Sequence, residues 1–219
     1  MNERTCRVPR CGQPAASAYS SYCRRHKSTL RRQGATQQTA IRKSELRPYL
    51  NAVSDRVAKN PQSPLWPELE RGWDGIVSDA RAISDRRVGN RYERSAAREV
   101  LNIAADVAPH DIVITALAMF IMWRDKPGRF STDAAFRMQL ARRVRSLSSR
   151  HRGSVYDHFT GRQRPIYREM TPKAGAILGH RLALGFGLAG LQLAELEARD
   201  RQAREKTRTT IIEAIRELK

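Results

Sequence analysis

All three cysteines of the chain lie within its first 23 residues, and a histidine follows three positions after the last. They read Cys6-Arg-Val-Pro-Arg-Cys11, eleven residues, then Cys23-Arg-Arg-His26. Two close pairs of soft or borderline ligands suit tetrahedral Zn2+, because each pair closes a small chelate loop and the intervening chain brings the pairs together. If Cys23 opens a helix, His26 returns to the same face and both can point at one ion. The bland reading, free thiols and a surface histidine, leaves unexplained why every cysteine stands at ligand spacing. Only Val8, Tyr19, Tyr22 and Leu30 could form a core there, so residues 1–38 are expected to fold as a module around a metal. Structural zinc supplies on the order of 10–16 kcal/mol in zinc-finger peptides. With Cys6, Cys11, Cys23 and His26 all from protein, no position is left for water, and the zinc is expected to be structural.

Charge supports a polyanion partner. The 219 residues carry 41 Lys and Arg against 22 Asp and Glu, a net +19. By segment the net charge is +10 for residues 1–60, −1 for 61–128, +8 for 129–173 and +2 for 174–219. Two basic blocks therefore flank a near-neutral middle, the pattern of a scaffold between contact surfaces. Of the cations 34 are Arg, whose planar fork matches phosphate oxygens and guanine edges, although a GC-rich genome also favours Arg codons.

The N-terminal residues resemble a known type of module. Cys6-x-Val8-x-x-Cys11-Gly12-x-Pro14, Tyr22-Cys23-x-x-His26 and Leu30-Arg31-Arg32-x-Gly34 are similar to the short CCCH zinc-finger modules of phage and bacterial mobile-element DNA-binding proteins, often found beside HNH-type nucleases. The resemblance covers residues 6–34. It implies a knuckle, a loop and a short basic helix in contact with nucleic acid, here through Arg24, Arg25, Lys27, Arg31 and Arg32. The nuclease part is not matched: Asp157-His158 is followed only by His180, and no Asn lies beyond Asn102.

Residues 39–219 read as a mainly α domain. Ser44 is expected to cap a helix with Leu46, Leu50, Val53 and Val57 on one stripe, stopped at Asn60-Pro61. A second helix starts near Ser63–Pro67 and carries Trp66, Leu69, Trp73, Ile76, Val77, Ala80 and Ile83. Asn90 caps a third, ended by Pro109, and Asp111 a fourth, whose run Ile112–Trp123 is apolar nearly all round and must be central. Ser131 opens a fifth, with Phe136, Leu140, Val144 and Leu147 inward and Arg142 and Arg145 outward. Residues 154–169 change to two short β runs about Thr160-Gly161, so a winged-helix-like order is expected. In it 112–123 supports, 132–147 reads DNA, and Arg162 and Arg164 lie on the wing; the alternative is a plain basic loop.

Thr171-Pro172 starts a helix with small residues every four positions, Gly175, Gly179, Ala183 and Gly187, beside Gly190, Ala194 and Ala198. Such a ridge admits close packing, either inside the chain or in a homodimer through 172–198. Gly185-x-Gly187-x-x-Gly190 matches a dinucleotide fingerprint only in letters, for no strand precedes it. Glu195–Lys219, with Ile211, Ile212, Ile215 and Leu218, is expected to dock as a terminal helix. Ala174–Leu196 is long enough to span a membrane but holds His180, Arg181 and Glu195, so no membrane partner is expected. The odd cysteine count and the absence of an apolar leader point to a reducing cytoplasm, bacterial or phage-infected.

The expected function is binding of double-stranded DNA, as a regulator or a recombination or replication accessory. The contacts would come from the α-helical cations named above and from Arg142, Arg143, Arg145, Arg162 and Arg164. RNA binding and a zinc-stabilised assembly factor are the alternatives. No nucleophile elbow, phosphate loop or open metal site appears, so no enzyme is expected.

Overall fold

The computed structural model describes residues 4–217. Its elements in chain order are α1 (Arg24–Gln33), α2 (Lys43–Lys59), α3 (Leu65–Arg86), α4 (Arg91–Ala104), α5 (Pro109–Asp125), a 3-10 turn (Pro127–Arg129) and α6 (Asp133–Arg145). An antiparallel ribbon of β1 (Arg152–Asp157) and β2 (Arg162–Tyr167) follows, and α7 (Pro172–Glu217) closes the chain. The mainly α expectation holds, with the hairpin where the β runs placed it.

α5 is the axis of the body. Ile112, Val113 and every residue from Thr115 to Met122 are buried, among α2, α3, α6 and α7. A helix apolar on all sides has no face to give to water, which is why it takes the centre. Near its C-terminal end Trp123 stacks on Phe136 of α6 at 4.7 Å, and Phe120 meets the same ring edge-on at 5.0 Å.

Helix starts differ from expectation in instructive ways. Asn90 caps α4 as expected: its side chain accepts from the N–H groups of Tyr92 and Glu93, while Glu93 accepts from the Asn90 N–H at 2.6 Å, a reciprocal capping box. Ser44, however, lies inside the first turn of α2, which begins after Arg42 with Glu45 accepting from the Arg42 N–H. Asp111 lies within the first turn of α5, which Pro109 opens; proline suits the first turn because its missing donor is not needed there. Thr132, not Ser131, caps α6 by accepting from the Ala135 N–H at 3.0 Å. α4 stops at Ala104, before the loop to Pro109, and Leu147 lies past the end of α6 and is exposed.

α6 also differs in role. A groove-reading helix must present one side to solvent, yet 7 of the 13 residues of α6 are buried. It is enclosed by α1, α4, α5 and α7. This helix of the second basic block is thus a support, and the ribbon that follows it meets it only at its root.

The small-residue ridge of α7 is used inside the chain. A Cβ at Gly179 would lie 2.1 Å from the Arg137 carbonyl oxygen of α6, one at Gly175 would meet Met138, and one at Gly190 would lie 2.5 Å from the Phe120 ring of α5. The C-terminal stretch is not a separate docked helix: α7 runs unbroken for 46 residues. Its last ion pairs with the body among the described residues are Arg56 with Glu197 (2.6 Å) and Asp200 (2.5 Å), and Arg201 with Asp125. Beyond these every described residue is exposed, Ile211, Ile212 and Ile215 included; Leu218 lies outside the described residues. Among the described residues α7 is the single helix long and apolar enough to cross a membrane. Its inner side, Leu178, Leu182, Phe186 and Leu193, packs on protein instead.

Candidate metal centre and basic cleft

The N-terminal module forms around its ligands. Arg10 and Gly12 adopt left-handed backbone (φ 63° and 60°) and turn the chain between Cys6 and Pro14. The two sides are joined by Cys6 N–H to Gln13 C=O at 2.8 Å and by a bridge between Thr5 and Pro14. The Ser20 hydroxyl then donates to the Tyr22 carbonyl at 2.7 Å and shapes the approach to Cys23. Cys23 caps α1, its Sγ accepting from the His26 N–H, so that His26 stands on the first turn beside it.

The ligand atoms of Cys6, Cys11, Cys23 and His26 all lie within 4.8 Å of one another. His26 Nδ1 is 3.4 Å from the Sγ atoms of both Cys6 and Cys23, and the Sγ atoms of Cys11 and Cys23 are 3.9 Å apart. These four residues could hold a metal ion. Burial raises the Cys6 thiol, but backbone hydrogen bonds from Cys23 and Val8, with His26 and Cys11 nearby, bring it down to about 6. Cys11 moves upward: a backbone bond from Gln13 lowers it, but burial and the two neighbouring sulfurs outweigh that. One sulfur is thus poised as a thiolate ligand, and the crowding felt by another is what a cation would relieve. Cys6, Val8 and Cys23, with Cys11 and Tyr22 against them, make a small core separate from that of the body.

α1 joins this module to the body along α6. At Gly34, which ends α1 with φ 90°, a Cβ would lie 2.8 Å from the Ala134 carbonyl oxygen. Buried Gln139 accepts from the Ile41 N–H and donates to the Gln33 carbonyl, and buried Gln38 donates to the Arg129 carbonyl. These bonds fix the basic side of α1 against the end of α6.

The two basic blocks meet there. A cleft of about 500 Å³ is lined by Arg31 and Arg32 from α1, Arg142, Arg143 and Arg145 from α6, and Arg152 and Arg168 from the root of the ribbon. One carboxylate, Glu169, faces these seven arginines, 3.3 Å from Arg32. Arg142 donates to the Arg32 carbonyl and Arg143 to the Ser146 hydroxyl; among the described residues neither forms an ion pair. Both guanidinium groups are pushed below their ordinary value, first by desolvation, then by neighbouring cations, with Glu169 partly offsetting this at Arg142. An uncompensated cationic cluster of this kind gains by meeting an anion.

The other expected contact residues divide. Arg24, Lys27, Arg31 and Arg32 line one groove of about 380 Å³ leading from α1 to Glu169, while Arg24 and Arg25 also border a depression beside the metal ligands. Arg145, expected on the outer side, turns inward to Glu99 at 2.6 Å and donates to the Arg168 carbonyl. Arg162 and Arg164 lie on β2 opposite Asp157 and Val155, on the face of the ribbon away from Arg152 and Tyr167, which border the cleft. Arg152 and Arg168 were missed by motif reading; their only signal was membership of the basic block. Comparison with family models, curated proteins and solved structures finds no match to this chain.

Proposed function

We propose that this protein binds double-stranded DNA through the arginine cleft, with a structural zinc ion holding α1 in place beside it. The convergence of two basic blocks, distant in sequence, on one cleft with seven arginines and one carboxylate carries the reading. Phosphate contacts supply most of the affinity in such interfaces, and Arg142 and Arg143 form no ion pair among the described residues. The resemblance of residues 6–34 to mobile-element DNA-binding modules supports a role as a regulator or as a recombination or replication accessory.

The donor set supports zinc. Zn–S of about 2.3 Å and Zn–N of about 2.0–2.1 Å at tetrahedral angles give S···S edges near 3.8 Å and S···N edges near 3.5 Å. The observed 3.9 and 3.4 Å agree with those. Four protein ligands leave the ion a structural role, and it would act on DNA only by fixing the direction of α1.

The test is titration of duplex DNA, single-stranded DNA and a structured RNA at several salt concentrations. Duplex binding is expected to win, with log K falling against log salt at a slope of about −4 to −5 if roughly five phosphates are engaged. Charge reversal at Arg142 and Arg143 should reduce both affinity and slope. Salt-independent binding, or affinity that survives the reversal, would overturn the reading. The exposed rings of Tyr156 and Tyr167 favour RNA as the second reading, which preference for the structured RNA would establish.

A further inference from the structure

The ribbon has features that phosphate binding does not use. Beyond pairing with each other its two strands make few contacts with other elements, and Val155, Tyr156, Ile166 and Tyr167 are all at least 40% exposed. A two-stranded ribbon alone in water is marginal, and its exposed apolar side chains stand on both faces, Val155 and Ile166 on one and Tyr156 and Tyr167 on the other. At its end Phe159 is fully exposed, touching nothing that would explain a phenyl ring there.

The tip is nevertheless held in shape. Asp157 Oδ1 accepts from the N–H groups of Phe159 (3.0 Å) and Thr160 (3.3 Å), and its carbonyl accepts from Gly161 N–H at 2.8 Å. Gly161 supplies the left-handed φ of 66° that this turn needs. Phe159 is therefore projected from a fixed turn. Behind it Arg162 and Arg164 stand on one face of the ribbon, while the root of the other face, Arg152 and Tyr167, opens into the arginine cleft. Six residues per strand make the ribbon about 20 Å long, comparable with the width of a duplex.

We infer that Phe159 is a wedge that enters a base step of duplex DNA whose phosphates are held by the arginine cleft and the ribbon cations. An apolar side chain flanked by cations is the arrangement that unstacks a step and bends the helix, the phosphates on either side being held while the ring replaces lost stacking. The inference rests on the duplex-DNA reading. A lipid surface is the competing occupant of an apolar tip beside cations; the continuity of the ribbon root with a guanidinium cleft favours DNA.

The experiment uses the full chain and short duplexes carrying 2-aminopurine at a central TA step, where unstacking is easiest. The wild type should raise the fluorescence on binding. Phe159→Ala, which removes no intramolecular contact, should lose that rise and about tenfold in affinity while keeping the wild-type salt slope; Phe159→Trp should retain unstacking, followed by the bend in an end-labelled duplex. Saturated binding with no rise, or an equal rise in Phe159→Ala, overturns the wedge and leaves the cleft reading intact. Absence of duplex binding overturns both. Phe159-dependent binding to vesicles of mixed zwitterionic and anionic lipid, without unstacking of DNA, assigns the tip to membrane and overturns the wedge.

Discussion

Glycines on α7 and α3 show how one residue type has opposite effects in two settings. At Gly179 an added methyl would enter the Arg137 backbone, at 2.1 Å from its oxygen, and backbone on a packed helix has nowhere to move. Gly179→Ala is expected to lower stability by about 1–3 kcal/mol or more, read as a drop in urea midpoint at unchanged m-value. Gly72, exposed on α3 with nothing within 4 Å of its Cβ position, sits in a helix only at the expense of backbone entropy. Gly72→Ala should therefore raise stability by up to about 1 kcal/mol in the same assay. The four-residue spacing of the α7 glycines was legible as a close approach. Its partner was not, since spacing describes one surface and both α6 and a second copy of the chain satisfy it.

At the scale of elements, the metal module and the helical body have separate means of folding. The body has a large apolar core centred on α5; the small core of the module adds only Val8, with Tyr22 against it, to the four candidate ligands, too little to offset chain entropy without a cross-link. Cys23 is both a candidate ligand and the cap of α1. Cys23→Ala, or exhaustive chelation, is therefore expected to remove one zinc per chain by elemental analysis and to open residues 4–38 to protease. The unfolding transition followed by tryptophan emission should remain, because Trp66, Trp73 and Trp123 all belong to the body. Loss of that transition on chelation would show that the two parts fold as one. The ligands were readable because chelation demands fixed spacings over short chain. The fate of Arg145 was not, because helical periodicity placed it outward while the carboxylate that turns it, Glu99, comes from α4, 46 residues away. For the same reason α6 looked like a reading helix: its stripe was visible, but the helices that cover its other sides were not.

Across the whole molecule the near-neutral middle, residues 61–128, provides the helices that hold the two basic blocks face to face, and the packing of α7 decides how firmly. Its exit from the body is fixed where three helices meet: Asp125 at the end of α5 accepts from the Tyr49 hydroxyl of α2 and from Arg201 of α7. Burial raises the Asp125 carboxyl, but the Tyr49 hydroxyl and the Arg201 charge outweigh it and hold the group below the usual carboxylate range. Burial and that carboxylate push the Tyr49 phenol up, so it stays a donor at any ordinary pH. A carboxyl whose folded pKa lies below its unfolded one stabilises the fold fully above the ordinary range near 3.9, and loses that contribution as pH falls through the folded value. Asp125→Asn should thus cost about 1–3 kcal/mol near neutral pH, and the gap to wild type should shrink as pH falls below the ordinary carboxylate value of about 3.9. Urea denaturation at both pH values measures this directly. A gap that stays constant with pH would show that shape, rather than charge, holds α7 to the body. Because α7 also supports α6, and α6 carries Arg142 and Arg143, the neutral-pH variant should bind duplex DNA more weakly than its folded fraction alone accounts for.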